Sequence, residues 1–183
     1  MRSRAWSPST TEHPRARRSS NRKQMNQYIP EILLWLFVIN LGIAYGAGLY
    51  EKRIVLPLWF SKSTGGGLQV HSEAMRQTNT GLRFWAFATT VPLTLLTLAN
   101  LVVALQSYGP RHNWWVAAAA ITLVERIGTF SFFIPTAIKL MRPETLPATA
   151  SVLATRWMRL NYVRDALALA GWLLALKTLS LPT

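Results

Sequence analysis

The chain has 183 residues and a formal net charge of +13, yet only 15% of its residues are charged while 50% are hydrophobic. Soluble domains usually carry about 25% charged residues, so the composition argues against an ordinary soluble enzyme. The sequence holds no cysteine, which excludes a disulfide-stapled domain, a thiolate metal site and a cysteine nucleophile.

The first 28 residues differ from the rest. Seven of the twenty lysines and arginines precede Met25, among serines, prolines and threonines with no apolar period. This composition predicts a disordered basic tail over 1–28, followed by one membrane domain over 29–183. Such tails more often contact anionic lipid headgroups or set topology than bind nucleic acid, so we expect no nucleic-acid partner. Translation could begin at Met1 or at Met25. A cleaved signal peptide is not expected, because the following apolar stretch exceeds the usual length of about 7–15 residues.

Four long runs then follow, interrupted by charge only at Glu125-Arg126 and Arg164-Asp165. They cover residues 32–50, 84–110, 113–138 and 160–176. About 20 apolar helical residues cross a bilayer core of about 30 Å, and backbone groups in lipid must bond within the helix. We therefore predict an all-α fold, a four-helix transmembrane bundle running up-down-up-down. The predicted helices lie near 30–55, 84–107, 113–140 and 152–179.

The soluble alternative is a four-helix bundle with charged outer faces. No charge occurs on any face between residues 84 and 105, which favours the membrane. In the fourth helix, the flanking Arg156, Arg159 and Lys177 can extend to the headgroups while their stems stay in lipid. Basic residues number nine on each side, but their cluster before the first helix favours cytoplasmic termini.

The charges inside the runs are the main functional signal. Each central charge costs about 2.5–3.5 kcal/mol on insertion scales, so four unpaired ones would cost on the order of 10 kcal/mol. Glu125 lies fifteen residues before a turn starting near Leu140, and Asp165 lies fifteen residues after one ending near Ala150. The doublets should therefore meet at one depth. Glu125 with Arg164 and Arg126 with Asp165 is the simplest pairing, and the exchanged partners remain open.

Polar and small residues also recur at helical spacing in each run. The stripes that include Glu51, Arg83, Thr122 and Asn161 would converge on a polar pocket inside the bundle. The simpler interpretation is ordinary packing, because small residues and threonine are common contacts between membrane helices. Glu51 and Arg83 would gate the pocket or act only as surface charges. Pro135 should bend the third helix and free a carbonyl near Ser131.

No metal or cofactor motif is present. His13, His71 and His112 have no partner histidine at helical spacing, so no metal site is expected. The glycines at 65–67 are not followed by the Lys-Ser of a phosphate loop and are expected to be a flexible stretch. We expect no bound cofactor.

Several short motifs resemble the anthrone oxygenase-like family of integral membrane proteins. They are Tyr45-Gly46-Ala47-Gly48-Leu49-Tyr50-Glu51, Val55-Leu56-Pro57-Leu58-Trp59, Arg83-Phe84-Trp85, Phe133-Ile134-Pro135-Thr136, and the stretch from Arg156 to Arg164. The resemblance covers residues 30–180 and implies four membrane helices in a bacterial inner membrane. It also implies oxidation of anthrones to anthraquinones by O₂ without an evident cofactor.

If that chemistry applies, a carboxylate removes the acidic benzylic proton and a cation holds the resulting enolate oxygen. Glu125 or Asp165 would be the base. Arg126, Arg164 or Arg83 would hold the oxygen. Trp85 and Trp172 would stack on a flat ligand.

Two other functions remain open at this stage. A non-enzymatic accessory or scaffold subunit would use the charges only to fix helix register and would bind a protein partner or a second copy. A small transporter would use the acidic residues as a proton path. Lipids are expected partners in every case, and the oxygenase function adds a lipophilic small molecule.

Overall fold

The computed structural model describes the backbone of residues 14–63 and 67–182, and side chains from Tyr28 onward. The described chain is mostly helical. Its elements are α1 (Pro14–Tyr50), a π-helical segment π1 (Glu51–Val55), α2 (Leu56–Trp59), β1 (Phe60–Lys62), β2 (Leu68–Val70), α3 (Ser72–Thr78), π2 (Gly81–Thr90), α4 (Val91–Gln106), α5 (His112–Gly128), π3 (Thr129–Phe133), α6 (Ile134–Leu140) and α7 (Pro147–Ser180).

Three continuous helical stretches are long and apolar enough to cross a membrane. We call them span 1 (Tyr28–Trp59), span 2 (Gly81–Gln106) and span 3 (His112–Leu140). They agree closely with the first three predicted helices and are consistent with an integral membrane protein. The fourth predicted helix forms as α7, which is 34 residues long. It is less apolar than the three spans and is not among the helices that qualify as membrane-spanning by length and composition.

The predicted disordered tail is not confirmed. Residues 1–13 lie outside the described residues, and so does part of the glycine stretch, residues 64–66. From Pro14 onward the backbone is helical, because α1 begins there rather than near residue 30.

The long helices contact one another in a closed order. α1 packs on α4, α4 on α5, α5 on α7, and α7 on α1. At one end of this ring, Arg111 donates to the Leu181 carbonyl oxygen at 2.7 Å and forms an ion pair with Glu31 at 2.7 Å. The guanidinium thereby satisfies a carbonyl that the end of α7 leaves without a helical partner. The start of span 1, the α4–α5 turn and the end of α7 therefore lie together.

The opposite end carries a small cap. β1 and β2 form an antiparallel hairpin in which Phe60 lies opposite Val70. The hairpin docks on α7, since the Leu68 N–H donates to Ser151 Oγ at 3.0 Å. α3 is held by Ser72, which donates to the Leu140 carbonyl oxygen at 2.7 Å.

Each π-helical segment ends two residues before a proline: π1 before Pro57, π2 before Pro92 and π3 before Pro135. Proline lacks the N–H of an α-helix and its ring collides with the carbonyl four residues earlier. Widening the preceding turn relieves that collision. The carbonyl of Ala88, whose α-helical donor would be the N–H of residue 92, accepts instead from Asn40 Nδ2 at 2.9 Å.

Two apolar clusters fill the interior. The first, at the hairpin end, includes Trp59, Met75 and Trp157. The second, at the end near Arg111, includes Leu34, Phe37 and Trp115. Between the two clusters along span 3 and α7 lie six buried polar residues that belong to the candidate site: Thr122, Glu125, Arg126, Thr129, Asn161 and Asp165.

Candidate functional site: a charged layer between two apolar clusters

Span 3 and α7 run in opposite directions where they touch. Phe133 contacts Trp157 with ring centroids 6.0 Å apart, and Thr122 lies against Gly171. Arg126 and Arg164 each lie seven residues from the first of these contacts. The doublets Glu125-Arg126 and Arg164-Asp165 therefore lie at the same level, as the sequence predicted.

The predicted pairing between the doublets is wrong. Glu125 pairs with its neighbour Arg126, which donates from Nη2 to Glu125 Oε1 at 2.7 Å. Thr129 Oγ1 donates to the same oxygen at 3.0 Å. Both charged residues are buried, so this pair neutralises itself on span 3 without a partner from α7.

Arg164 instead joins all four long helices. Its Nη2 lies 3.5 Å from Glu51 Oε2 on span 1. Its guanidinium carbon lies 5.5 Å from the ring centre of Trp85 on span 2 and 4.9 Å from that of Phe133 on span 3. Trp85 Nε1 also donates to Glu51 Oε1 at 2.9 Å, so both carboxylate oxygens of the buried Glu51 are engaged.

Asp165 faces span 1 as well. It forms an ion pair with Lys52, whose ammonium group also lies 4.7 Å from the ring centre of Tyr162. Gly48 makes this approach possible, because a Cβ there would lie 3.0 Å from Asp165 Oδ1. Two acidic and two basic side chains, from Glu51, Lys52, Arg164 and Asp165, thus compensate one another between span 1 and α7. We call these four residues with Trp85 and Phe133 the charged layer.

The charged layer lies close to a ring of exposed cations. Arg53 on span 1, Arg83 on span 2 and Arg159 on α7 are all exposed. Arg53 directly follows Lys52, Arg83 is two residues from Trp85, and Arg159 is five residues from Arg164, so these cations lie within about 8 Å of the layer along the helix axes. The sequence placed the doublets halfway through the lipid, and by count Glu125 is near the middle of span 3. On span 1, span 2 and α7 the exposed arginines mark one border of the apolar surface close to the layer, whereas on span 3 the exposed Ile134 and Ile138 extend that surface beyond it.

A groove opens beside Lys52. It has a volume of about 260 Å³ and lies between the start of the cap and α7, with Phe60, Met158 and Tyr162 among its walls. Lys52 is therefore accessible from the groove while its partner Asp165 is buried.

The other predicted binding residues do not gather at one point. Arg83 is exposed and forms no ion pair or side-chain hydrogen bond with the charged layer among the residues that the structure describes. Thr122 donates to the carbonyl oxygen of Ala118 on its own helix, as the packing interpretation expects. Trp172 lies seven residues beyond Asp165, about 10 Å along α7, where it packs against Gly42 and Tyr45.

Asn161 is the unusual member of this set. It is 1% exposed, and neither its amide nitrogen nor its oxygen has a hydrogen-bond partner among the described residues. It lies one turn from Asp165 on α7. A buried amide without partners costs about 1–3 kcal/mol, so this position offers a donor and an acceptor to a water or a ligand.

Sequence reasoning missed Lys52 and Phe133. Signals for both were present, because Lys52 follows Gly48 by four residues and Phe133 follows Thr129 by four. Both therefore continue the polar stripes that the sequence had identified.

Comparisons with protein-family models, curated proteins and solved structures find no match for this chain.

Proposed function

We propose that the chain is a four-span, up-down-up-down membrane protein that binds a lipophilic aromatic molecule at the charged layer and oxidises it with O₂. The observation that carries the proposal is the groove at Lys52, which leads from the border of the apolar surface to a buried ion pair. The contacts, the exposed charges and the resemblance to anthrone oxygenase-like proteins support it as follows.

The fourth span is α7. Arg159 and Lys177 are exposed and eighteen residues apart, about 27 Å along a helix, and Val163 and Leu173 between them are exposed. On span 1, Glu31 and Arg53 are about 33 Å apart by the same rise. Both lengths match a hydrocarbon core of about 30 Å. Arg164 and Asp165, the two charges between these ends, lower the apolarity of α7 but face the bundle rather than lipid.

A lipophilic ligand would enter at the membrane border. Phe60 and Tyr162 offer aromatic surfaces in the groove, and the Lys52 ammonium lies at its inner side. A ketone or phenol oxygen on a flat polycycle would accept a hydrogen bond from Lys52. That contact would bring the ring next to Asp165, the carboxylate paired with Lys52.

The reaction follows from the chemistry of an anthrone. Asp165 removes a benzylic C–H proton, and Lys52 stabilises the enolate oxygen. The enolate carbon is oxidised by O₂ and forms a C–O bond to it, which gives a hydroperoxide once a proton is added. Loss of the second benzylic proton then breaks the O–O bond, releases water and leaves a ketone. One anthrone and one O₂ thus give one anthraquinone and one water.

Arg164, Glu51 and Trp85 are positioning residues in this scheme. Arg164 fixes α7 against the other three helices and holds a positive charge 3.9 Å from Asp165 Oδ1. Of the two bases that the sequence suggested, Asp165 is favoured over Glu125, because its partner Lys52 lines the groove, whereas Glu125 and its partners Arg126 and Thr129 do not.

The test is anthrone oxidation by the purified protein in liposomes, measured as O₂ uptake together with anthraquinone absorbance and corrected with protein-free liposomes. Asp165→Asn should abolish turnover, and Lys52→Met should raise KM and lower kcat. Glu144→Gln, an exposed change in the α6–α7 turn, is the matched control. Wild-type turnover by Asp165→Asn would overturn the mechanism.

The internal charge compensation favours a second candidate, a non-enzymatic accessory subunit. Glu125 pairs with Arg126, while Glu51 and Asp165 pair with Arg164 and Lys52. The net charge of these six side chains is zero, so no unpaired charge is left to act on a substrate. Such a subunit would copurify with a protein partner at fixed stoichiometry and would retain no aromatic molecule. Mass spectrometry of the gently purified protein separates the two functions.

A further inference from the structure

We infer that a second groove, on the outer side of α7, binds the phosphate of an anionic lipid headgroup or a free phosphate ester. This groove has a volume of about 480 Å³ and lies where the hairpin meets α7. It is separate from the groove at Lys52, and the two grooves share no lining residue. The hairpin contributes Gly67 to this groove and the adjacent Leu68 to the other.

Two adjacent rows of α7 line the groove at four-residue spacing. One row is polar, with Ser151, Thr155 and Arg159. The other consists of Val152, Arg156 and Leu160. Because residues three or four apart lie on one helix face, Arg156 and Arg159 project over the same surface, and the apolar residues flank them.

Both arginines are free to bind an anion. Each is exposed, and neither forms an ion pair with a carboxylate among the residues that the structure describes. Arg156 is oriented by its stacking on Phe132, with the guanidinium carbon 5.3 Å from the ring centre. Planar guanidinium groups match phosphate oxygens in bidentate geometry.

Ser151 adds a third donor. Its oxygen accepts from the Leu68 N–H at 3.0 Å, so its own hydroxyl proton is available for a phosphate oxygen. Gly67 keeps the hairpin close, because a Cβ there would lie 2.7 Å from Ser151 Oγ. Thr155 contributes shape rather than a proton, since its hydroxyl donates to the Ser151 carbonyl oxygen at 2.9 Å.

The position of the groove favours a headgroup. Arg159 belongs to the ring of exposed arginines at one border of the apolar surface, and Arg156 lies about 4 Å further from the lipid core along α7. Leu160, on the core side of both arginines, would contact the first carbons of the acyl chains, whereas Val152, about 6 Å further out than Arg156, would contact the headgroup. Basic side chains at this depth attract anionic lipids.

Native mass spectrometry of the detergent-purified protein tests this site with phosphatidylglycerol and with diacylglycerol of the same chains. The wild type should retain phosphatidylglycerol and not diacylglycerol. Arg156→Gln with Arg159→Gln should bind it about 30-fold more weakly, the effect expected for two basic residues at an anionic surface. Arg156→Lys with Arg159→Lys should keep part of the binding.

Arg53→Gln with Arg142→Gln is the matched control, since both residues are exposed and line neither groove. Competition with glycerol 3-phosphate or inorganic phosphate separates the sources of the ligand. Displacement at millimolar concentration indicates a free phosphate compound, and resistance indicates a lipid. Equal retention by the wild type and the Gln double variant, or equal binding of diacylglycerol, would overturn the inference.

Discussion

Removing Arg164 should destabilise the protein more than removing any exposed cation. In Arg164→Met, the methionine keeps most of the apolar stem, but Glu51 loses the guanidinium 3.5 Å from Oε2. Breaking a buried ion pair by deleting one partner costs about 3–5 kcal/mol. Since the Arg164 side chain is 14% exposed and lies near the border of the apolar surface, we expect the lower end, about 3 kcal/mol. That corresponds to a change of about 100-fold in the unfolding equilibrium.

The matched change is Glu51→Gln, in which Oε1 can still accept from Trp85 Nε1. The double variant carries no unpaired charge, so it should recover at least about 1.5 kcal/mol of the loss summed over the two single variants. Lys177→Met, an exposed change on the same helix, should stay within about 0.5 kcal/mol of the wild type.

The assay is reversible unfolding by SDS in mixed micelles, followed by circular dichroism. Additive effects of Arg164→Met and Glu51→Gln would show that the two side chains do not interact. A cost of Arg164→Met below about 1 kcal/mol would show that the pair is solvated like a surface salt bridge. Either outcome would refute the description of Arg164 as the junction of the four helices.

Three further predictions concern packing and pH. Gly171→Ala should cost about 1–3 kcal/mol in the same unfolding assay, because the new Cβ would lie 2.6 Å from Thr122 Oγ1. Adding Thr122→Ala should restore most of the lost stability, and a double variant without recovery would contradict the contact. Asn100→Leu should cost about 1–3 kcal/mol, because Trp115 Nε1 donates to Asn100 Oδ1 at 3.0 Å and would be left unpaired; a neutral effect would contradict this. The hydrogen bond from Arg76 lowers the pKa of Glu73 below its ordinary value of 4.5. Its contribution to stability is therefore complete above pH 4.5 and is lost as the pH falls through the lower folded pKa. The thermal stability of Glu73→Gln should lack this loss at acid pH. A pH profile of thermal unfolding identical to that of the wild type would contradict the prediction.

The spans were predictable because an uncharged run admits few alternatives. Residues 84–110 carry no charge, and the structure places span 2 there. The common level of the two doublets was also predictable from their distances to the α6–α7 turn, since a constant helical rise fixes depth. The π-helical segments were not predicted, although Pro57, Pro92 and Pro135 each mark one.

The ion-pair partners could not be read from the sequence. Depth follows from counting residues, but partner choice depends on the rotation of each helix about its axis. Gly48 lets Asp165 approach span 1, and this turns Arg164 towards Glu51 and away from Glu125. Glu125 and Arg126, adjacent in sequence, then have only each other and Thr129.

The depth of α7 tests the central claim most directly. Because the chain has no cysteine, single cysteines can be introduced at exposed positions and spin-labelled in liposomes. Power-saturation measurements should place Val163→Cys and Leu173→Cys in the hydrocarbon, with high exposure to O₂ and low exposure to a water-soluble nickel chelate. Val152→Cys should show the reverse. A label at Leu173 as accessible to the chelate as that at Val152 would contradict a membrane-spanning α7 and the placement of the charged layer at the lipid border.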